Sequence, residues 1–144
     1  MSDARAPISI RGLDHVVLRT PALEPMLRFY CDALGMNVER ELDIGLVQLR
    51  AGAHLIDLVP CESEMGRRGG GLPAKDHPNM DHFCLRLERF DETELRAHLA
   101  TQGIEAGPSA LRYGAEGNGP SLYIRDPDGN TVELKGPPGA PEAA

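Results

Sequence analysis

The chain contains no tryptophan, only three cysteines and no long apolar run. An odd number of cysteines without a regular spacing argues against a secreted protein held together by disulfides. No stretch approaches the ~20 apolar residues of a membrane-spanning helix. The first segment, MSDARAPISI, lacks the basic start and the apolar centre of a signal peptide. We therefore expect a cytoplasmic protein that has no membrane partner.

An excess of positive charge is also missing. The chain carries 15 Lys and Arg residues against 22 Asp and Glu residues, a formal net charge of −7. Proteins that bind nucleic acids need a basic surface to displace counterions from phosphates, so this balance disfavours a nucleic-acid partner. At 144 residues, the chain has the length of one ordinary domain with a core of its own.

The chain does contain a repeated segment. LDHVVLRT, which starts at residue 13, returns as MDHFCLRL at residue 80. In each copy a histidine, His15 or His82, precedes an arginine by four residues. Repetition of this kind indicates a duplicated supersecondary unit. Polar residues repeated inside a strand pattern also need a reason other than packing.

The repeat extends to a later pair of segments. LVQLRAGAHLIDL, from residue 46, matches LYIRDPDGNTVEL, from residue 122, in length. This alignment places Asp57 opposite Glu133. Each copy therefore supplies one histidine early and one carboxylate late.

Both copies have the same order of predicted elements: one strand, one helix and three strands. The sequence thus predicts an α+β fold of tandem βαβββ modules that form a curved mixed sheet. We expect one domain over residues 8–136, followed by a flexible tail over 137–144. Within the domain, module one covers 8–60, a loop covers 61–79 and module two covers 80–136.

Strand alternation predicts which side chains share a face. Val16 and Leu18 point towards a helix-covered face, so His15 and Arg19 point the other way. The same argument applies to the second copy and to the two late carboxylates. The side chains expected together on the concave face of the sheet are His15, Arg19, Asp57, His82, Arg86 and Glu133.

Two neutral imidazoles with one or two carboxylates suit a divalent metal ion such as Zn, Ni, Co, Mn or Fe. Three or four protein ligands leave coordination positions open, which is typical of catalytic metal sites. Other interpretations stay open at this point. Each histidine could be a hydrogen-bonded structural residue, Glu133 a solvated carboxylate, and Arg19 and Arg86 partners of the carboxylates.

The loop over 61–79 is rich in glycine and carries Arg67, Arg68 and Lys75. A loop of this composition suits a lid or clamp for a small anionic substrate. The alternative is a flexible linker between the two modules.

The tandem pattern and several motifs resemble the vicinal oxygen chelate superfamily, which contains glyoxalase I, fosfomycin resistance proteins, extradiol dioxygenases and bleomycin-binding proteins. The resemblance covers residues 8–136 and rests on LDHVVL, FYCDALGM, HLIDLVP, MDHFCLRL and LYIRDPDGNTVEL. It implies a cup around one divalent metal ion, formed within one chain or between two copies, and it implies a homodimer. The ligands that it implies are His15, Asp57, His82 and Glu133.

The ligand pattern is most similar to that of glyoxalase I. This similarity implies a lyase or isomerase that acts on a small substrate chelating the metal through adjacent oxygens, with Glu133 or Asp57 moving a proton. It also assigns Arg19 to a substrate carboxylate. The chain departs from bacterial-type glyoxalase I at Asp57, where that enzyme has glutamate, and at Cys61, where an asparagine helps to hold glutathione. Glutathione is therefore not the expected substrate.

Two other activities are compatible with the resemblance. An extradiol-type dioxygenase would use His15, His82 and Glu133 as a two-histidine, one-carboxylate iron site, with Asp57 unbound. A metal-free protein that sequesters small molecules would rely on aromatic walls instead, and this chain has no tryptophan.

Overall fold

The computed structural model describes residues 7, 9–74, 76–78 and 80–139. Ile8, where the predicted domain begins, the loop residue Lys75 and the tail beyond residue 139 lie outside the described residues. Within the described ranges, no helix has the length and apolar character needed to cross a membrane.

Both halves of the chain have the predicted order of elements. The first contains β1 (His15–Thr20), α1 (Leu23–Leu27) continued by a π-helix (Arg28–Ala33), β2 (Asn37–Leu42), β3 (Leu46–Ala51) and β4 (His54–Pro60). A 3₁₀ turn (Gly66–Gly69) lies in the connecting loop. The second contains β5 (Phe83–Arg86), α2 (Glu92–Thr101), β6 (Ala110–Gly114), β7 (Gly117–Arg125) and β8 (Thr131–Lys135). The βαβββ prediction is confirmed.

Each half forms its own four-stranded sheet, with the same topology. The strand orders are β1-β4-β3-β2 and β5-β8-β7-β6. The first and last strands of each half pair in parallel, and the other neighbours pair antiparallel. Both sheets are therefore mixed, and the parallel pair brings the early histidine segment next to the late carboxylate strand.

Local sequence signals set the ends of the helices. The Asp91 carboxylate accepts a hydrogen bond from the Glu94 N–H at 3.0 Å and caps the start of α2. Gly35 and Gly103 follow the helical segments with positive φ angles of 79° and 72°. Glycine adopts this left-handed conformation without steric cost, so each of the two helical segments ends at its glycine.

One buried cluster joins the two halves. On one side it contains Met26, Phe29 and Tyr30 from the first helical segment, and on the other Leu122 and Val132 from the second sheet. Burial of this apolar surface favours folding by about 25 cal/mol per Å². The two modules therefore share a single core.

A buried hydrogen bond crosses the same junction. The Tyr30 hydroxyl donates to Asp126 Oδ2 at 2.7 Å, and both residues are buried. The backbone N–H groups of Asp128 and Asn130 donate to Asp126 Oδ1, and the Asn130 side chain donates to Oδ2. Burial and the Asp126 charge raise the pKa of Tyr30, so the hydroxyl stays protonated as a donor.

Replacing Tyr30 by phenylalanine should therefore destabilise the protein. Tyr30→Phe removes one charge-assisted donor from Asp126 and keeps the ring, so we expect a loss of about 1.5–3 kcal/mol in the free energy of unfolding. Urea denaturation measures this difference. Tyr113→Phe is the matched control, because Tyr113 is 82% exposed. Equal stability of the two variants would show that the buried bond contributes nothing.

Candidate metal centre

The first half of the site lies on the parallel pair β1–β4. His15 lies opposite Leu55 and Val17 lies opposite Asp57 in the strand register. Because alternate residues share a face, the His15 and Asp57 side chains lie on the same side of the sheet. The hydrogen bond to Asp14 raises the pKa of His15, and the nearby Asp57 carboxylate raises it further.

Asp57 is a buried carboxylate in which, among the described residues, only one of the two oxygens has a hydrogen-bond donor. The residue is 1% exposed, and its Oδ2 atom accepts a hydrogen bond from Gln48 Nε2 at 3.1 Å. Gln48 in turn accepts from Arg40 Nε, so the amide is held in place. Among the described residues, nothing donates to the buried Oδ1 atom. A bare buried carboxylate oxygen is costly unless a cation or a proton donor approaches it.

The second half of the site lies on the equivalent strands of the other sheet. Glu133, on β8, is 5% exposed and lies opposite Cys84 on β5 and Tyr123 on β7. His82 immediately precedes β5, and its Nε2 atom is 3.2 Å from Glu133 Oε1. The rings of His82 and Tyr123 are nearly perpendicular, with the centroids 5.3 Å apart.

Both histidines are oriented by the aspartate that precedes them. His15 Nδ1 is 2.8 Å from Asp14 Oδ1, and His82 Nδ1 is 2.5 Å from Asp81 Oδ2. A carboxylate on Nδ1 favours the tautomer that leaves Nε2 free to bind a ligand. An aspartate precedes the histidine in both copies of the repeat. This recurrence could have identified Asp14 and Asp81 from the sequence, whereas strand alternation does not single them out.

The thiol of Cys84 shares a face with Glu133. Although the residue as a whole is exposed, partial burial of its sulfur and the adjacent Glu133 carboxylate raise the pKa of Cys84 to about 11. The thiol therefore stays protonated near neutral pH and is a poor nucleophile.

The structure brings the four predicted ligands together as two pairs. His15 lies with Asp57 on one sheet, and His82 lies with Glu133 on the other. In the part of the chain that is described, no three His, Cys, Asp or Glu side chains lie close enough to bind one metal ion. We call these two pairs of predicted ligands the half-sites.

Arg19 contacts the connecting loop. Its guanidinium donates to the carbonyl oxygens of Gly66, Gly70 and Gly71 at 3.2, 2.7 and 3.2 Å. The loop backbone packs so closely that a Cβ atom at Gly69 would collide with the Arg19 side chain. The Arg19 guanidinium, which the resemblance assigns to a substrate carboxylate, is therefore hydrogen-bonded to the loop instead.

The other predicted substrate-binding arginines are more accessible. Arg67 and Arg68 are exposed on the 3₁₀ turn of the loop. Arg86 lies 3.5 Å from Glu116, and both side chains are about half exposed.

Removing the Arg19 guanidinium should loosen the loop. Arg19→Gln deletes the hydrogen bonds to three carbonyls, so we expect trypsin to cleave after Arg67 or Arg68 about tenfold faster than in the wild type. Limited proteolysis followed by mass spectrometry measures this rate. Arg50→Gln removes the same charge from the same sheet without touching the loop, because Arg50 pairs with Glu39. Equal cleavage rates in the two variants would contradict a role for Arg19 in holding the loop.

Comparison with known proteins places the chain in a family. The profile of the Glyoxalase/Bleomycin resistance protein/Dioxygenase superfamily matches residues 12–134. The chain belongs to this superfamily, and this match confirms the resemblance inferred from the motifs. The name of the superfamily shows that it includes enzymes.

Individual relatives are distant. The chain is 30% identical over 132 residues to the glyoxalase domain-containing protein RDO1 of Mycosarcoma maydis, covering 88% of this chain and 69% of that protein. It is 30% identical over 122 residues to catechol-2,3-dioxygenase of Bacillus subtilis, covering 85% of this chain but only 40% of that enzyme. The crystal structure of a virulence protein from Salmonella typhimurium superposes with a TM-score of 0.68 at 27% identity, over 90% of this chain and 99% of that one. These matches confirm the predicted fold.

Proposed function

We propose that the protein is a metal-dependent enzyme of the glyoxalase I-like type, a lyase or isomerase whose small substrate chelates the metal through adjacent oxygens. The observation that carries this proposal is the bare, buried Oδ1 atom of Asp57 on the face that also bears His15. A carboxylate oxygen that is desolvated and unpaired is suited to a metal ion.

The donor set fits a divalent ion. His15 and His82 each have Nδ1 bonded to an aspartate, so Nε2 is the nitrogen that would bind the metal. Asp57 and Glu133 would supply one carboxylate each. Imidazole with carboxylate suits Zn, Ni, Co, Mn or Fe and leaves positions open for a substrate.

The bound ion would supply Lewis acidity towards the two chelating oxygens of the substrate. The proton transfer belongs to the protein. Glu133 or Asp57 would take a proton from the substrate carbon next to a carbonyl group and return it to the neighbouring atom, which completes an isomerisation. Both carboxylates are buried, so bulk water has little access to the proton in transit.

The second candidate is an extradiol-type dioxygenase. The similarity to catechol-2,3-dioxygenase of Bacillus subtilis favours it. This activity would need His15, His82 and Glu133 alone. The bare oxygen of Asp57 argues for a fourth ligand and so for the first candidate. Metal-free sequestration, the third alternative, would leave that oxygen without a partner.

We place the complete site between two copies of the chain. We propose a homodimer in which His15 and Asp57 of one copy meet His82 and Glu133 of the other. This arrangement is supported by the finding that, among the described residues of one copy, no three candidate ligands lie together. Val17, which is 40% exposed between His15 and Arg19, also supports it, because an apolar side chain on that face gains from being covered.

Alanine substitution of the ligands tests the metal centre. His15→Ala, His82→Ala and Glu133→Ala should each lower metal affinity by at least about 100-fold. Mutating a residue that only hydrogen-bonds a metal ligand typically lowers affinity by less than this. Elemental analysis after dialysis against buffered metal measures this. Asp57→Ala should behave in the same way in the lyase and should keep nearly full affinity in a three-ligand dioxygenase.

The controls for this experiment are His54→Ala and His77→Ala, because both histidines are exposed. Metal content that stays unchanged in all four ligand variants would overturn the proposed site. A loss of metal that is equal in the control variants would assign binding to surface histidines instead.

Mixing two inactive variants tests the shared site. His15→Ala and His82→Ala should each fail to bind metal, but a heterodimer of the two keeps one intact site of its two. Random exchange of copies then restores about a quarter of the wild-type metal content. Native mass spectrometry should give a dimer of twice 15.6 kDa. A monomer at micromolar concentration, or a dimer whose metal is not restored by mixing, would contradict the arrangement.

A further inference from the structure

Three cations lie beside the second half-site. Arg86 on β5 pairs in register with Lys135 on β8, and Lys135 pairs with Ser121 on β7. Arg112 reaches over from β6, and its Nη1 atom donates to the carbonyl and the hydroxyl oxygen of Ser121, both at 2.9 Å. Arg86, Arg112 and Lys135 form what we call the cationic row. Because Lys135 is two residues after Glu133 on one strand, the row shares the face of Glu133.

The cationic row holds more positive charge than its neighbours neutralise. Arg86 is 3.5 Å from Glu116, but that pair is about half exposed and therefore weak. Arg112 contacts neutral groups, the oxygens of Ser121 and the face of the Tyr123 ring at 4.5 Å. Within the described ranges, no carboxylate oxygen lies within 4.0 Å of the Arg112 or Lys135 nitrogens.

Lys135 is a buried cation with a neutral partner. It is 4% exposed, and its ammonium group donates to the carbonyl of Gly117 at 2.9 Å. A Cβ atom at Gly119 would lie 2.9 Å from the Lys135 nitrogen, so the missing side chain allows the β6–β7 hairpin to close over it. Burying an ammonium group without a carboxylate costs free energy, so the position calls for a compensating anion.

We propose that the substrate of this site is an anion, with the chelating oxygens near Glu133 and a carboxylate or similar oxyanion at the cationic row. Two residues along a strand span about 6.6 Å, which sets the approximate distance between the two parts of the substrate. Arg86 and Arg112 would donate hydrogen bonds to the anion directly, and the buried Lys135 ammonium group would attract it electrostatically. On a chain of net charge −7, only a local excess of cations attracts an anion. This inference rests on the proposed metal-dependent function.

Two catechols that differ in one carboxylate test the proposal. Both 3,4-dihydroxybenzoate and 4-methylcatechol present adjacent oxygens to a metal, and only the first carries an anion across the ring. Calorimetry on the nickel-loaded protein without oxygen should show the acid binding at least about tenfold more tightly, the scale of one charge-assisted hydrogen bond. Arg112→Gln and Arg86→Gln should each remove most of this advantage and leave the affinity for 4-methylcatechol unchanged.

Arg89→Gln is the matched control, because it removes one arginine charge from an exposed pair with Glu94. Equal affinity for the two catechols would overturn the anion site and leave the metal centre standing. An equal loss of preference in Arg89→Gln would also overturn it, because the preference would then come from overall charge. Binding of neither catechol would overturn the metal-dependent function itself, and the anion site with it.

Discussion

The arrangement of this protein depends on one buried hydrogen bond, from the Tyr30 hydroxyl to Asp126. Tyr30 belongs to the helical segment of the first module, and Asp126 organises the β7–β8 turn of the second by accepting from Asp128 and Asn130. An aspartate buried in an apolar junction is tolerated only with its full set of donors. The bond therefore helps to fix how the two modules pack against each other. The packing of the modules in turn determines the directions in which the two half-sites face.

The sequence predicted the modules, and within each strand the face on which the proposed ligands lie, because both follow from local rules. The repeat indicates a duplicated unit, and alternation predicts that His15, Asp57, His82 and Glu133 share the concave face. The structure brings them together as two pairs, one in each module. The division into two sheets could not be read in this way, because strand pairing between distant segments depends on the shared core. The predicted curved mixed sheet is present as one four-stranded mixed sheet in each module.

The partners of the site residues were the least predictable part. Arg19 lies on the predicted face, yet its guanidinium is directed to loop carbonyls about fifty residues away, a contact without local pattern. The support of Asp57 by Gln48 depends on β3 lying beside β4 in a particular register. Arg112 reaches Ser121 across a strand pair for the same reason. Such contacts follow from tertiary structure, which sequence spacing does not encode directly.

The confinement of each half-site to a single module has a consequence for how the protein evolves. Each module carries its own imidazole, its own carboxylate and its own orienting aspartate, so a substitution in one module alters half of the proposed ligand set without moving the other half. The duplicated copies have already diverged in this way, with Asp57 in one and the longer Glu133 in the other. Under the proposed function, one scaffold of this kind can change its metal preference and its substrate contacts through separate, individually tolerable steps.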